Sequence, residues 1–194
     1  HTVELFDFGV TDDGTFYYVM ELLDGLDLES MVQRFGPLPA GRVVYLLRQA
    51  CHSLAEAHFN NLVHRDIKPA NLYACRLGLD YDVLKVLDFG LVKHRSPQPE
   101  AATRVTMAHT TTGTPAFMPP ELALARPDVD GRADIYSLGC VAYWLLTGQL
   151  VFEGENAMEV IVQHVQSPPV PPSSRTELEV PADLERIILQ CLEK

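Results

Sequence analysis

The sequence predicts an α+β fold in a single domain, with a small amount of β-structure at the start and helices through most of the rest. Residues 2–9 and 15–22 alternate as strands on either side of a turn containing two aspartates and Gly14. From Arg42 onward, apolar residues recur at helical spacing instead. With 194 residues, of which 47% are hydrophobic, the chain can bury one sizeable core.

Capping and breaking residues delimit the first helices. Asp27 can cap a short helix that ends at Phe35, because a glycine and two prolines follow. The spacing of apolar residues then predicts one long amphipathic helix over residues 42–60. Residues 63–73 are predicted as a loop and residues 83–87 as a short strand.

The second half of the chain is predicted to be a long loop followed by helices. Residues 95–113 are polar and lack periodicity, and a loop of that length in a compact domain is usually functional. Helices are expected at residues 134–147, at residues 156–166 and from residue 183 to the end. The proline-rich residues 167–176 are expected to form a surface connection.

Composition excludes some functions. A formal net charge of -11 and a pI near 5.0 argue against nucleic acid or an anionic membrane as the main partner. The charge is compatible with a basic peptide substrate, although acidic solubility is the simpler explanation.

The chain carries no sign of export. Residues 1–10 do not resemble a signal peptide, and the apolar run at residues 138–152 is too short to span a bilayer. The four cysteines are scattered and are expected to be reduced and mostly buried, which indicates a cytoplasmic location. A membrane anchor outside this segment stays compatible with that location. The cysteines are Cys51, Cys75, Cys140 and Cys191.

Three short motifs follow one another along the chain. Residues 64–71 read H-R-D-I-K-P-A-N, residues 88–90 read D-F-G, and residues 113–121 read G-T-P-A-F-M-P-P-E. Each motif alone is a weak signal, but their order, with a long helix before them and a Thr-rich loop between them, makes coincidence implausible. Together they resemble the catalytic domain of eukaryotic-type serine/threonine protein kinases, in a bacterial style.

The residue types suit phosphoryl transfer, which places negative charge on oxygen atoms and needs metal ions and cations around them. Asp66 is suited to orient an acceptor hydroxyl and to accept its proton. Asn71 and Asp88 offer oxygen ligands to Mg²⁺, and Lys68 can neutralise charge on the transferred group. An isolated Asp is more often a solvated turn residue, but four polar residues at the positions that the motifs specify make that interpretation untenable.

The resemblance implies a protein kinase-like fold truncated at both ends. The chain would hold the mainly α-helical C-terminal lobe, together with the last two strands and the hinge of the N-terminal lobe. Residues 1–194 would be a partial kinase domain, with residues 1–22 ending the N-terminal sheet and starting the hinge. Residues 23–194 would form the C-terminal lobe, and residues 88–121 the activation segment.

The resemblance also implies the substrates. Lys68 followed by Pro69 is typical of serine/threonine kinases, and Thr114 resembles the residue that bonds the catalytic Asp and Lys in that subfamily. The expected substrates are therefore ATP and proteins bearing Ser or Thr. Residues 156–166 resemble a protein-substrate docking helix.

A nucleotide site is implied around the hinge. Met20 matches the gatekeeper position, and the Glu21 carbonyl and Leu23 amide would bond the adenine edge. Asp27 resembles an acidic residue near the ribose, and its alternative role as a helix cap is compatible with that. Tyr73 replaces the aliphatic residue that the family usually places under adenine. The implied cofactor is Mg²⁺, with Mn²⁺ as the alternative.

Regulation by phosphorylation is implied by Arg65, an unpaired cation beside Asp66 that can form an ion pair with a phosphorylated residue. Lys93 matches a second cation of that pocket. Thr106 and Thr110 are the preferred acceptors, although Thr-rich loops also occur unmodified.

Architectural roles follow from the resemblance as well. Leu5, His64 and Phe89 match an internal hydrophobic column, so His64 is expected to be a packed core residue. Asp134 resembles the residue that bonds the catalytic-loop backbone, and it is also expected to cap the helix that it opens.

Some features of the family are not found within residues 1–194: the Gly-rich loop, the phosphate-binding Lys and its Glu partner. The Arg that pairs with the residue at Glu121 is not found either, and an unpaired buried carboxylate costs about 3 to 5 kcal/mol. This segment alone is therefore expected to bind ATP weakly and to be inactive. Two alternatives are a pseudokinase scaffold, which the intact motifs disfavour, and a small-molecule phosphotransferase, which the long Thr-rich loop disfavours.

Overall fold

The structure of the protein is a computed structural model that describes residues 1–89 and 115–194. Two small antiparallel sheets lie within residues 5–86, and most of the other described residues are helical. The predicted α+β class is therefore confirmed.

The first two strands form the predicted hairpin. Strand β1 (Leu5–Val10) pairs antiparallel with β2 (Phe16–Met20). In the turn, Gly14 has a φ of 84° and its N–H donates to the Thr11 carbonyl over 2.9 Å. The Thr15 N–H donates to the Thr11 hydroxyl over 3.1 Å. The glycine is required here because other residues seldom adopt this left-handed backbone conformation.

A second sheet has the order β3, β4, β5 and is antiparallel throughout. Its strands are β3 (Gly25–Asp27), β4 (Leu72–Leu77) and β5 (Asp80–Val86). The predicted strand at residues 83–87 corresponds to the second half of β5. The prediction of a loop over residues 63–73 was wrong at its end, because β4 begins at Leu72. Pairing on both sides stabilises this short strand, and sequence periodicity does not report such tertiary pairing.

The first two helices follow the sequence prediction closely. Helix α1 (Leu28–Phe35) begins after Asp27, whose carboxylate accepts a hydrogen bond from the Ser30 N–H over 2.7 Å. It ends at Gly36, which has a φ of 80°. Helix α2 (Ala40–Phe59) buries one face in the core, including Val43, Leu46, Ala50 and Leu54.

Four further helices are α3 (Pro120–Ala123), α4 (Arg132–Thr147), α5 (Ala157–Gln166) and α6 (Ala182–Cys191). In α4, 13 of the 16 residues are buried, so this helix lies at the centre of the helical part. It packs against α2 on one side and α6 on another. The catalytic motifs lie between α2 and β4 and after β5, and both segments border this core.

The cysteines are free, as expected, but not all are buried. Cys75 and Cys140 are buried, Cys191 is half-buried, and Cys51 is exposed. Burial raises the pKa of the Cys140 thiol, which keeps that thiol protonated. Within the described ranges, no helix has both the length and the apolar character needed to cross a membrane.

Candidate active site

His64 is a buried residue of the predicted catalytic loop, and its ring hydrogen-bonds two backbone groups. Its side chain is 1% exposed, and its Nε2–H donates to the Leu87 carbonyl over 2.7 Å. Its Nδ1 accepts a hydrogen bond from the Asp66 N–H over 3.3 Å. The ring centroid lies 4.8 Å from that of Phe89, so the predicted packing of these two residues is confirmed. Leu5, the third residue of the predicted column, is 41% exposed.

Asp134 holds the catalytic loop from α4. Its carboxylate, 1% exposed, accepts hydrogen bonds from the backbone N–H groups of His64, over 2.9 Å, and of Arg65, over 2.8 Å. The predicted contact with the loop backbone is therefore confirmed. The predicted capping role is wrong, because α4 begins earlier, after Gly131, and has no side-chain cap. The two bonds hold Arg65 at a φ of 64°, which is costly for a residue with a side chain.

His58 completes this support, and sequence analysis did not identify it. Its Nε2 lies 2.7 Å from an Asp134 carboxylate oxygen. A Cβ atom at position 131 would lie only 2.6 to 2.9 Å from His58 ring atoms, so Gly131 makes room for the ring. In the sequence, His58 is only one of several residues on the inner face of α2. Only the helix packing shows that it reaches Asp134, 76 residues later.

Lys68 and Asn71 converge on Asp66. The Lys68 ammonium lies 2.9 Å from Asp66 Oδ2. The Asn71 side-chain amide donates to the Asp66 carbonyl over 2.8 Å and to Asp66 Oδ2 over 3.2 Å. Asn71 is 7% exposed, whereas the Asp66 side chain is 38% exposed, so the carboxylate is fixed by buried and charged neighbours yet open to a substrate.

Asp88 lies next to Asn71 because the Leu87 N–H donates to the Asn71 carbonyl over 2.9 Å. Asp88 has a φ of 56°, and it is exposed. The described residues contain no group of three or more His, Cys, Asp and Glu that could hold a metal. A carboxylate and an amide oxygen nevertheless fit Mg²⁺, which proteins commonly bind through one or two carboxylates together with substrate phosphates.

The predicted nucleotide-site residues are brought together by the second sheet. Tyr73 on β4 is the direct partner of Asp27 on β3, and its hydroxyl donates to the Gly25 carbonyl over 2.9 Å. The Asp27 carboxylate caps α1 through the Ser30 N–H and hydroxyl. The capping role of Asp27 is thus confirmed, and its contact with a ribose stays a prediction.

Lys85 fixes the start of the hinge. Its ammonium lies 2.6 Å from a Glu21 carboxylate oxygen, and both side chains are mostly buried. The Glu21 carboxylate also accepts a hydrogen bond from the Glu4 N–H over 2.9 Å. The bond from Lys85 holds the pKa of the Glu21 carboxyl below its ordinary value. Glu21 is therefore tied to β5 at Lys85, the residue that pairs with Tyr73, and Leu23 is half-buried.

The remaining predicted residues lie outside the described ranges: Lys93, Thr106, Thr110 and Thr114. Glu121, on α3, is half-buried. Arg65 is exposed beside the cluster around Asp66. A carboxylate paired with one lysine, next to an amide and a second carboxylate whose oxygens suit a metal ion, is typical of enzymes that transfer phosphoryl groups.

Comparison with known proteins shows the family. All of residues 1–194 match the protein kinase domain. The chain is 44% identical over 192 residues to the serine/threonine-protein kinase Pkn1 of Myxococcus xanthus. The matched region covers 99% of this chain and 26% of that protein. Over 178 residues it is 38% identical to PknB of Mycobacterium tuberculosis, covering 92% and 27% of the two chains. The chain therefore belongs to the protein kinase family, and it spans about a quarter of these relatives.

A solved structure has a similar fold. The crystal structure of Rad53 1-466 in complex with AMP-PNP matches with a TM-score of 0.77 and 25% sequence identity. The match covers 99% of this chain and 45% of that one. The predicted kinase-like fold is thereby confirmed, and the bacterial relatives confirm the predicted bacterial style.

Proposed function

We propose that the protein is a serine/threonine protein kinase that transfers the γ-phosphoryl group of ATP to Ser and Thr hydroxyls of proteins. The cluster of Asp66, Lys68 and Asn71 carries the proposal, because its three side chains converge around one accessible carboxylate. The names of the relatives, which are serine/threonine-protein kinases, support the same reaction.

Asp66 orients the acceptor hydroxyl and accepts its proton as the oxygen bonds the γ-phosphorus. The bond from the γ-phosphorus to the bridging oxygen breaks, and ADP leaves with that oxygen. Lys68, 2.9 Å from Asp66, also neutralises charge on the transferred group. Thr114 is proposed to bond Asp66 and Lys68.

Asn71 and Asp88 would hold the metal ion. Because the Asn71 amide nitrogen donates hydrogen bonds to Asp66, the Asn71 Oδ1 is the side-chain atom that remains for a metal. A bound Mg²⁺ would neutralise charge on the phosphate oxygens. Mn²⁺ also prefers oxygen ligands and is the alternative.

ATP would bind at the hinge and the second sheet. The backbone of Glu21 and Leu23 would bond the adenine edge, Tyr73 would lie beneath the base, and Asp27 would face the ribose. The bond of the Tyr73 hydroxyl to the Gly25 carbonyl supports this placement, because it fixes the ring beside the hinge.

Phosphorylation of Thr106 or Thr110 is proposed to regulate the kinase, with Arg65 and Lys93 receiving the phosphate. The exposed position of Arg65 beside Asp66 supports this proposal. The proposed location is cytoplasmic, and the proposed partners are ATP and protein substrates, with neither nucleic acid nor a membrane bound by this segment.

The test is a transfer assay on the full-length protein with radiolabelled ATP, Mg²⁺ and peptides bearing Ser, Thr or Tyr. Asp66→Asn is expected to lower kcat about a hundredfold or more on Ser and Thr peptides, the contribution of a general base. Asp183→Asn is the matched control, because the Asp183 side chain is 92% exposed. Absence of phosphate transfer by the wild-type protein would favour the pseudokinase scaffold. Transfer to Tyr peptides alone would contradict the proposed specificity.

A further inference from the structure

Gln49 is a buried polar residue in the middle of α2, and its side-chain amide bonds the backbone of β5. The residue is 6% exposed. Its Nε2 donates to the Asp82 carbonyl over 2.9 Å, and its Oε1 accepts a hydrogen bond from the Leu84 N–H over 3.1 Å. The same nitrogen also lies 3.3 Å from the Tyr45 carbonyl of its own helix. Both ends of the amide are therefore committed to β5.

The two bonds have the spacing of a parallel β-bridge. In parallel pairing, one residue donates its N–H to a carbonyl of the neighbouring strand and accepts from the N–H two residues further on. The Gln49 amide does the same opposite Val83, although it comes from a helix. Further along β5, Thr2 forms a backbone parallel bridge with Val86. The edge of β5 that faces away from β4 is thus bonded at both of these positions.

The residue to which Gln49 donates has a strained backbone. Asp82 has a φ of 56°, which side chains disfavour and which persists only where neighbours hold it. Its carboxylate accepts two hydrogen bonds of 2.8 Å from Arg42, which is also on α2. In this part of the sheet the pairing of β4 with β5 shifts register, between Cys75 and Leu77. Helix α2 therefore holds β5 where its pairing with β4 is irregular.

The register of β5 sets the spacing of the two proposed metal-binding residues. Asn71 directly precedes β4, and Asp88 follows the end of β5 by two residues. Leu72, the first residue of β4, pairs with Val86, the last residue of β5, so both metal-binding residues lie at the same end of this pair of strands. Successive strand residues are about 3.3 Å apart, whereas a Mg²⁺–oxygen bond is about 2.1 Å long. A slip of one residue would therefore move Asp88 out of reach of a metal ion bound to Asn71.

We propose that Gln49 is a positioning residue, which fixes the register of β5 and so holds Asp88 at the distance from Asn71 that one metal ion requires. The inference rests on the proposed function, which assigns the metal ion to these two residues. Gln49 acts only through the backbone, because it bonds the edge of β5 opposite β4. Loss of its bonds should weaken metal binding and leave the chemistry at Asp66 unchanged. Groups that support metal ligands typically change metal affinity about 10- to 100-fold.

The substitution Gln49→Met keeps the length of the side chain and removes both bonds. In transfer assays on the full-length protein with a Ser or Thr peptide, Q49M is expected to raise the half-saturating Mg²⁺ concentration about tenfold, with the KM for the peptide unchanged. Gln33→Met is the matched control, because Gln33 is exposed on α1, and it should change neither value. Val43→Ala removes buried apolar volume from α2 and controls for a general loss of stability.

A second measurement does not depend on turnover. Electron paramagnetic resonance of Mn²⁺ titrated into the protein with a non-hydrolysable ATP analogue reports metal binding, and Q49M should weaken that binding about tenfold. Hydrogen exchange of the backbone amides of residues 83–88 should be faster in Q49M than in Val43→Ala.

A second variant covers the case in which Q49M does not fold. The carboxylate of Gln49→Glu keeps the acceptor for the Leu84 N–H and lacks only the donor to the Asp82 carbonyl. Unchanged metal affinity in the folded variant, an equal loss in Val43→Ala, or failure of both Gln49 variants to fold would overturn the inference. Metal binding that depends on Gln49, in a protein that transfers no phosphate, would instead refute the proposed function alone.

Discussion

Single residues at the candidate site adopt backbone conformations that side chains disfavour. Arg65 and Asp88 both have a positive φ, of 64° and 56°. Each such residue costs on the order of 1 to 3 kcal/mol and persists only where neighbours hold it. For Arg65 the holding group is the Asp134 carboxylate. Arg65, beside the proposed catalytic Asp66, is thus kept in place by a contact from 69 residues further along the chain.

The buried His164, on α5, should make the protein less stable in acid. Burial, and the charge of Lys194, lower the pKa of His164 from 6.5 to about 4. Above pH 6.5 the ring is neutral in both the folded and the unfolded state, so it has no effect on the pH dependence. As the pH falls from 6.5 toward 4, only the unfolded state gains the proton, and the free energy of unfolding decreases by about 3 kcal/mol in total.

Denaturant unfolding of the full-length protein between pH 7 and pH 4 measures this effect, using the transition of the kinase domain. Replacing the imidazole, as in His164→Gln, is expected to remove most of the decrease in the free energy of unfolding between pH 6.5 and pH 4. His52→Gln is the matched control, because His52 is exposed, and it should leave the slope unchanged. The same slope in the unchanged protein and in H164Q would contradict the prediction.

Among the elements, α4 organises the site, and Gly131 at its start makes room for the His58 ring. Gly131→Ala would place a Cβ atom within 2.9 Å of that ring and push it away from Asp134. The carboxylate would then shift relative to the N–H groups of His64 and Arg65. We expect kcat to fall about ten- to hundredfold, because a displacement on the order of 1 Å can cost that much.

Steady-state phosphorylation kinetics of the full-length protein check this result. Gly41→Ala, near the start of α2, is the matched control, since a Cβ atom there meets nothing within 4 Å. It should preserve kcat and stabilise the helix by up to about 1 kcal/mol. If Gly131→Ala kept the full kcat, the support through His58 would not matter for catalysis.

The elements also show what the sequence could predict. Helices α1 and α2 were predictable because capping and breaking residues mark their ends and their apolar spacing is regular. The cluster at Asp66 was predictable because its members lie within six residues in one motif. Strand β4 was not, because partners on both sides stabilise it. His58 was missed because its partner Asp134 lies 76 residues away, and no spacing rule reports such a contact.

At the scale of the whole molecule, the hairpin of β1 and β2 carries several exposed apolar side chains. Its exposed fractions include 61% for Phe6, 65% for Phe8 and 55% for Phe16. A contiguous apolar surface of this kind normally contacts other protein. We therefore expect a polypeptide of residues 1–194 alone to bind a hydrophobic dye, and the full-length protein to bind less of it.

Fluorescence of the dye with equal molar amounts of the two polypeptides makes this comparison. Equal fluorescence from both would contradict the prediction.

The bonds from Asp134 to the catalytic loop have a consequence for biosynthesis. They join residues 69 and 70 positions apart, and closing so large a loop of chain is slow compared with forming local helices. The loop around Arg65 reaches its working shape only after α4 has been synthesised and has docked. On the proposed function, the chain would gain transfer activity only after that docking, so a copy in which α4 has not docked would phosphorylate nothing.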